Sequence, residues 1–151
     1  MDLKYLLTDI EQGCYALPEI QRPYVWRNNQ VRELFESIYN NYPIGAIIVW
    51  EPAREVFERY GDLFKPLSKE LEKVKNNFKY VVIDGQQRML SMWLVKMGSI
   101  TIMDDYGERK REISLYYNAE KDELFVSRAR RKYEKDPSIY KVKDLLVEDI
   151  D

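Results

Sequence analysis

Apolar residues recur at helical spacing over Leu3, Leu6, Leu7 and Ile10, which predicts a short helix from Asp2 to Glu11 with Gly13 as its stop. Two prolines in CYALPEIQRPYVW exclude a regular helix there and predict extended or looped chain. Helical spacing resumes at Val31, Leu34, Phe35, Ile38 and Tyr42, with Asn28 or Asn29 placed to cap it. Tyr42-Pro43 ends that helix. AIIVWE then reads as a buried strand, because its apolar run is continuous rather than alternating. Residues Arg54 to Asn77 are highly charged. Leu67, Leu71 and Val74 mark one short amphipathic helix within them, an insertion expected to lie over the sheet. The strand YVVID follows, and then a helix reaching about Met97, with Met89, Leu90, Trp93, Leu94 and Met97 as its apolar face and Gly98 as its end. ITIMDD reads as a strand. EISLYYN and ELFVS flank a four-residue loop as a β-hairpin would. A basic run, RARRKYEKDP, separates that hairpin from a last helix beginning near Lys141.

The handover from strand to helix at Asp84-Gly85-Gln86-Gln87-Arg88 is chemically loaded. A helix start exposes unpaired N–H groups and partial positive charge. A glycine before it lets a ligand approach the backbone, so the turn suits an anion or phosphate. Arg88 adds a fork of donors for phosphate oxygens. Gln86 and Gln87 add neutral donors and acceptors. Asp84 is placed to hold Mg²⁺ through water, or to orient an attacking water. A solvated Asp-Gly turn is the plain alternative for these five residues, and the Gly-Lys-Ser/Thr ending of a Walker loop is missing. A second cluster, PEIQRPYVW, carries Gln21, Arg22, Tyr24 and Trp26. In one reading Tyr24 and Trp26 plug the core; in the other Gln21 and Arg22 face the same phosphates as Arg88, and Tyr24 lines the site.

Composition narrows the chemistry. The 151 residues suit one domain, and 45% apolar with 33% charged residues suits a globular fold. A net charge of −2 gives no bulk sign of nucleic-acid or membrane binding. The single cysteine, Cys14, forms no internal disulfide, and the N-terminus lacks the shape of a signal peptide, which together predict a cytoplasmic protein. No apolar run approaches the roughly 18–20 residues of a membrane span. The absence of histidine excludes a Ser-His-Asp triad, a histidine-based metal site and a histidine general base. Asp104-Asp105 offers an adjacent carboxylate pair of the kind a nuclease-type metal site would need. Neighbouring strand residues point to opposite faces, which argues against it.

Three motifs occur in order: Pro18-x-x-Gln21-Arg22-Pro23-Tyr24-Val25-Trp26, then Tyr42-Pro43-Ile44-Gly45, then Val82-Ile83-Asp84-Gly85-Gln86-Gln87-Arg88. With them the chain resembles the N-terminal domain of GmrSD-type (type IV) restriction endonucleases, a DGQQR-motif family of the ParB/sulfiredoxin-like superfamily. The likeness is closest over about residues 1–100. It implies an α+β fold: a compact ParB/sulfiredoxin-like domain with a small mixed sheet and flanking helices, here with a C-terminal β-hairpin. The chain is then a single domain over 1–151, as the N-terminal part of a longer protein would be. The resemblance implies a nucleotide-binding and hydrolysing site in a system that restricts modified or foreign DNA in phage defence. It assigns Asp84, Gln86, Gln87 and Arg88 to hydrolysis, and Gln21, Arg22, Tyr24, Gly85, Gln86, Arg88 and Ser91 to nucleotide and phosphate. Mg²⁺ enters with the nucleoside triphosphate, held by Asp84 through water. The family usually continues Leu-Thr-Thr-Leu after the arginine. Here Met89-Leu90-Ser91-Met92 keeps one hydroxyl and loses the other at Leu90, which predicts weaker turnover if that hydroxyl meets phosphate. The family's nuclease chemistry lies in a C-terminal domain, often with histidine, so DNA cleavage by these residues alone is not expected.

The rival class is a non-catalytic nucleic-acid-binding or protein-interaction module with a degenerate nucleotide pocket. Arg128, Arg130, Arg131, Lys132 and Lys135, with Tyr133 among them, offer a basic patch that suits a phosphate backbone. The plain alternative is a solvated helix face.

Overall fold

The computed structural model of the chain describes residues 2–20, 22–104 and 107–146, with Arg130 and Arg131 described by backbone alone. Helix α1 spans Leu3–Glu11, and Asp2 caps it by accepting a hydrogen bond from the Lys4 N–H at 2.9 Å. The expected extended segment supplies β1, Tyr15–Pro18. Helix α2 runs Asn28–Tyr39, shorter than its apolar spacing suggests. Asn41 takes a positive φ of 57°, and Tyr42 lies beyond the helix and exposed. Neither Asn28 nor Asn29 caps it. The helix starts from Arg27, whose backbone N–H donates to Gln30 Oε1 at 2.8 Å.

The next strand, β2 (Ile48–Trp50), is a correction. Expected to be buried, it has all three residues exposed, because it is an edge strand paired only with β4 (Tyr80–Asp84). The charged region after it is also more than one covering helix. It forms α3 (Arg54–Tyr60), strand β3 (Phe64–Pro66), and a 3₁₀ stretch over Lys69–Asn77 kinked at Val74. β3 joins the sheet itself, antiparallel to β1. The sheet order is β2-β4-β1-β3, with β1 and β4 parallel at its centre and both edges antiparallel. It is the small mixed sheet that the α+β reading required.

Helix α4, Gln86–Met97, is the centre of the core. Every residue from Met89 to Val95 is buried, so it is apolar all round rather than along one stripe. Trp93 Nε1 donates to the hydroxyl of Ser68 at 3.0 Å, and both side chains are buried. β5 (Ser99–Asp104) pairs antiparallel with β6 (Gly107–Glu112). The strand β6, sequence GERKRE, was missed because charged residues fill five of its six positions, leaving no apolar alternation to read. β7 (Leu115–Asn118) and β8 (Glu123–Val126) form the expected hairpin. After the basic turn α5 (Arg130–Tyr133), β9 (Ile139–Lys141) adds a third strand beside β7, and α6 (Val142–Leu145) follows. Among the described residues no helix is long and apolar enough to cross a membrane.

The hairpin loop is tied to α2. Asp122, at a positive φ of 52°, accepts from Tyr39 Oη at 2.6 Å and from Tyr117 Oη at 2.7 Å. Those two bonds, Tyr39's first, hold the carboxyl below its ordinary pKa and so favour its charged form. A lowered folded-state pKa adds stability above the ordinary carboxyl value, and that stability is lost as pH falls through the folded value. Asp122→Asn, which tolerates the same backbone, is therefore expected to melt lower than the parent near neutral pH. The gap should close as pH falls below about 4. Thermal melts across pH check this: a gap unchanged at acid pH rules out the carboxylate.

Candidate functional site

Parallel pairing of β1 and β4, with Tyr15 opposite Tyr80 and Ala16 opposite Val81, fixes where the two polar motifs meet. Both strands end on the same side of the sheet. The segment after Pro18 and the turn after Asp84 therefore leave from adjacent points, the usual place for ligands in such sheets. Arg22, Trp26, Ile83, Asp84, Gly85, Gln86, Gln87 and Arg88 surround one open depression of about 480 Å³ there. The structure thus brings together Arg22 from one motif and all five residues of the other.

Gly85 makes the turn, in the left-handed region at φ 86°. A Cβ there would come within 2.9 Å of Ile47 Cγ1. Asp84 Oδ1 accepts from the Gly85 N–H at 2.9 Å, which orients the carboxyl at the strand end. The first intrahelical bond of α4 is Met89 N–H to Gly85 O at 3.0 Å. Ahead of it, the N–H groups of Gln86, Gln87 and Arg88 have no acceptor within the helix, and no side chain among the described residues caps them.

The two glutamines differ in their engagements. Gln86 Nε2 donates to Val82 O at 3.0 Å, and its side-chain carbonyl accepts no bond from a described residue. Gln87 is committed at both ends: Nε2 donates to Pro23 O at 3.0 Å and Oε1 accepts from the Val25 N–H at 3.0 Å. Its amide pairs with the backbone of the other motif, so of the two glutamines only Gln86 keeps a side-chain carbonyl that no described residue engages. Arg88 reaches toward the segment after Tyr42-Pro43, donating to Ala46 O at 3.3 Å. Its guanidinium packs on Gly45, where a Cβ would lie 2.7 Å from Nη2. The glycine after Tyr42-Pro43 is thus the space that the arginine occupies. Arg22 is exposed on the rim and pairs with no described residue.

Tyr24 and Ser91, expected at the phosphates, lie instead in the core. Their hydroxyls are 2.6 Å apart, and Ser91 Oγ also donates to Gln87 O at 2.7 Å. Ser91 is 0% exposed and Tyr24 2%. Burial raises the Tyr24 phenol's pKa and keeps it neutral. Both support the turn from behind. Leu90 is buried in the core as well. Gln21 and Asp105 fall outside the described residues, as do the side chains of Arg130 and Arg131. Arg128 and Lys132 are exposed away from the depression, with Lys132 Nζ 5.6 Å from the centre of the Tyr133 ring. Asp104 meets Arg109 Nε at 3.2 Å. Among the described residues no three carboxylates or cysteines stand close enough to form a metal cage.

Fold and site together define an α+β domain with a polar strand-to-helix turn, glycine-led and arginine-flanked, at the end of a small mixed sheet. The chain matches the family described as "GmrSD restriction endonuclease, N-terminal domain" over residues 3–150, and it belongs to that family. It is also 31% identical over 97 residues to the uncharacterized protein MJ0686 of Methanocaldococcus jannaschii, a match over 61% of this chain and 17% of that protein. The chain thus corresponds to a small part of that relative's length.

Proposed function

We propose that this domain binds and hydrolyses a nucleoside triphosphate within a restriction system. The observation that carries the reading is the meeting of the two motifs: Arg22 and Arg88 border one depression with Asp84 and three helix-start amides that no described residue caps. Two guanidinium groups beside a helix N-terminus make a positive field that a phosphate chain would satisfy. The terminal phosphates would lie on the amides of Gln86 to Arg88. Gln86 Oε1 would accept a hydrogen bond from a water and aim it at the γ-phosphorus. The new P–O bond would form as the bridging bond to the diphosphate breaks, with the water's proton passing to phosphate oxygen or solvent. Arg22 and Arg88 would stabilise the charge gathering on the transferred group.

A single carboxylate beside a phosphate site suits Mg²⁺, which takes few protein ligands and keeps its waters. Asp84 fits that role, and the ion would supply further charge neutralisation. DNA engagement, by the basic run or by another part of the system, belongs to the same proposal.

The test is phosphate release by the purified domain from each nucleoside triphosphate, with and without Mg²⁺, beside Asp84→Ala. The expected result is Mg²⁺-dependent release lost in the variant. Equal release from both proteins would remove Asp84 from the chemistry, and no binding of any nucleotide by calorimetry would favour an interaction module.

A further inference from the structure

The segment 22–27 has no strand partner, yet its backbone is held from two sides. From α4, the Gln87 amide takes Pro23 O and the Val25 N–H. From β6, Arg109 Nη2 donates to Tyr24 O, and Arg111 Nη2 donates to Trp26 O at 3.3 Å and to Asn28 Oδ1 at 2.7 Å. The Arg111 guanidinium carbon also stands 6.0 Å from the centre of the Tyr24 ring. Arg109 is steadied by Asp104 at 3.2 Å. Alternate residues of a strand share a face, and alternate carbonyls of an extended segment point the same way. That shared period lets Arg109 and Arg111 meet Tyr24 and Trp26 in step. Lys110, between them, pairs with Glu112 at 3.1 Å instead.

We propose that Arg109 and Arg111 are positioning residues of the candidate site. Neither borders the depression; the residues they hold carry Arg22 and Trp26 to its edge. The largely exposed strand β6 thereby sets where those two side chains stand over the DGQQR turn. A planar guanidinium is needed, since Arg111 divides its donors among three acceptors, Nη1 to Glu112 O at 2.5 Å and Nη2 to Trp26 O and Asn28 Oδ1. The ligand this arrangement serves rests on the nucleotide reading above; the positioning itself does not.

The chain has three tryptophans, so 5-fluorotryptophan labelling gives three fluorine resonances, with that of Trp26 assigned by Trp26→Phe. In folded Arg109→Gln/Arg111→Gln protein, the Trp26 resonance is expected to shift or broaden while those of Trp50 and Trp93 stay. Arg109→Lys/Arg111→Lys should displace it equally, which loss of charge alone would not do. It also provides a milder variant if the glutamine protein fails to fold. Lys110→Gln should change nothing. For whichever triphosphate the parent hydrolyses, KM should rise about tenfold in both double variants, as misplacement of binding groups demands. A shifted Trp26 resonance in a protein whose parent hydrolyses nothing upholds the positioning and sinks the nucleotide reading. An unmoved resonance with unchanged KM in a folded double variant overturns the proposal.

Discussion

Arg88→Ala is expected to cut phosphate release by on the order of a hundredfold or more, the loss typical of a donor aimed at transition-state charge. The guanidinium does two things in this structure. It borders the depression, and it braces the loop after Tyr42-Pro43 through Ala46 O at 3.3 Å. Arg88→Lys should recover little, since an ammonium has no fork to meet a carbonyl and a phosphate together. Gly45→Ala gives an independent check without touching the arginine. Its new Cβ would come within 2.7 Å of Arg88 Nη2, at a φ of 84° that alanine adopts only under strain. The arginine should be displaced and turnover fall, with much smaller loss in the melt. Kinetics and thermal melts on the three variants decide the matter. Full turnover in a folded Arg88→Ala protein would place any hydrolysis elsewhere.

Trp93→Ala should have the largest effect on folding. The side chain is 1% exposed in the middle of the central helix, and its indole N–H is bonded to buried Ser68. Deleting a buried tryptophan costs about 3–5 kcal/mol. Leaving the Ser68 hydroxyl unpaired adds about 1–3 kcal/mol. Against a total of about 5–15 kcal/mol for an ordinary domain, that sum removes a large share of the stability. Trp93→Phe keeps most of the volume and loses the bond, so it should fall between the parent and alanine. Denaturant unfolding followed by circular dichroism measures all three. Equal midpoints for parent and alanine would mean that the α4 core is not what holds the fold.

Local signals in the sequence were enough for the helices that carry strong apolar spacing and for the turn that opens α4. Gly85, placed between β-branched residues and a helical pattern, marked that turn before any coordinates. The β7–β8 hairpin was legible for the same reason, a short loop between two apolar runs. AIIVWE misled because a continuous apolar run states that a residue prefers burial, not that a neighbour exists to bury it. Ile48, Val49 and Trp50 sit at an edge, where β4 is their strand partner on one side. β3 and β6 were invisible for other reasons: β3 is three residues whose place is set by β1, far back along the chain, and β6, though beside β5, shows no apolar alternation.

The same division runs through the site. Residue types alone set the chemistry on offer: no histidine, a glycine-led turn with a carboxylate before it and an arginine after it, and a second arginine beside aromatics. Which of those groups face outward together depends on long-range packing. Parallel pairing of β1 with β4 brought Arg22 to Arg88, since strands running the same way end at the same side. Core packing drew Tyr24 and Ser91 inward, where two hydroxyls satisfy one another out of water. It also tied the Gln87 amide to a backbone sixty-odd residues away and left the Gln86 side-chain carbonyl without a bond from a described residue. Residue types fix what bonds a side chain is able to make; long-range contacts fix which of those bonds are already made.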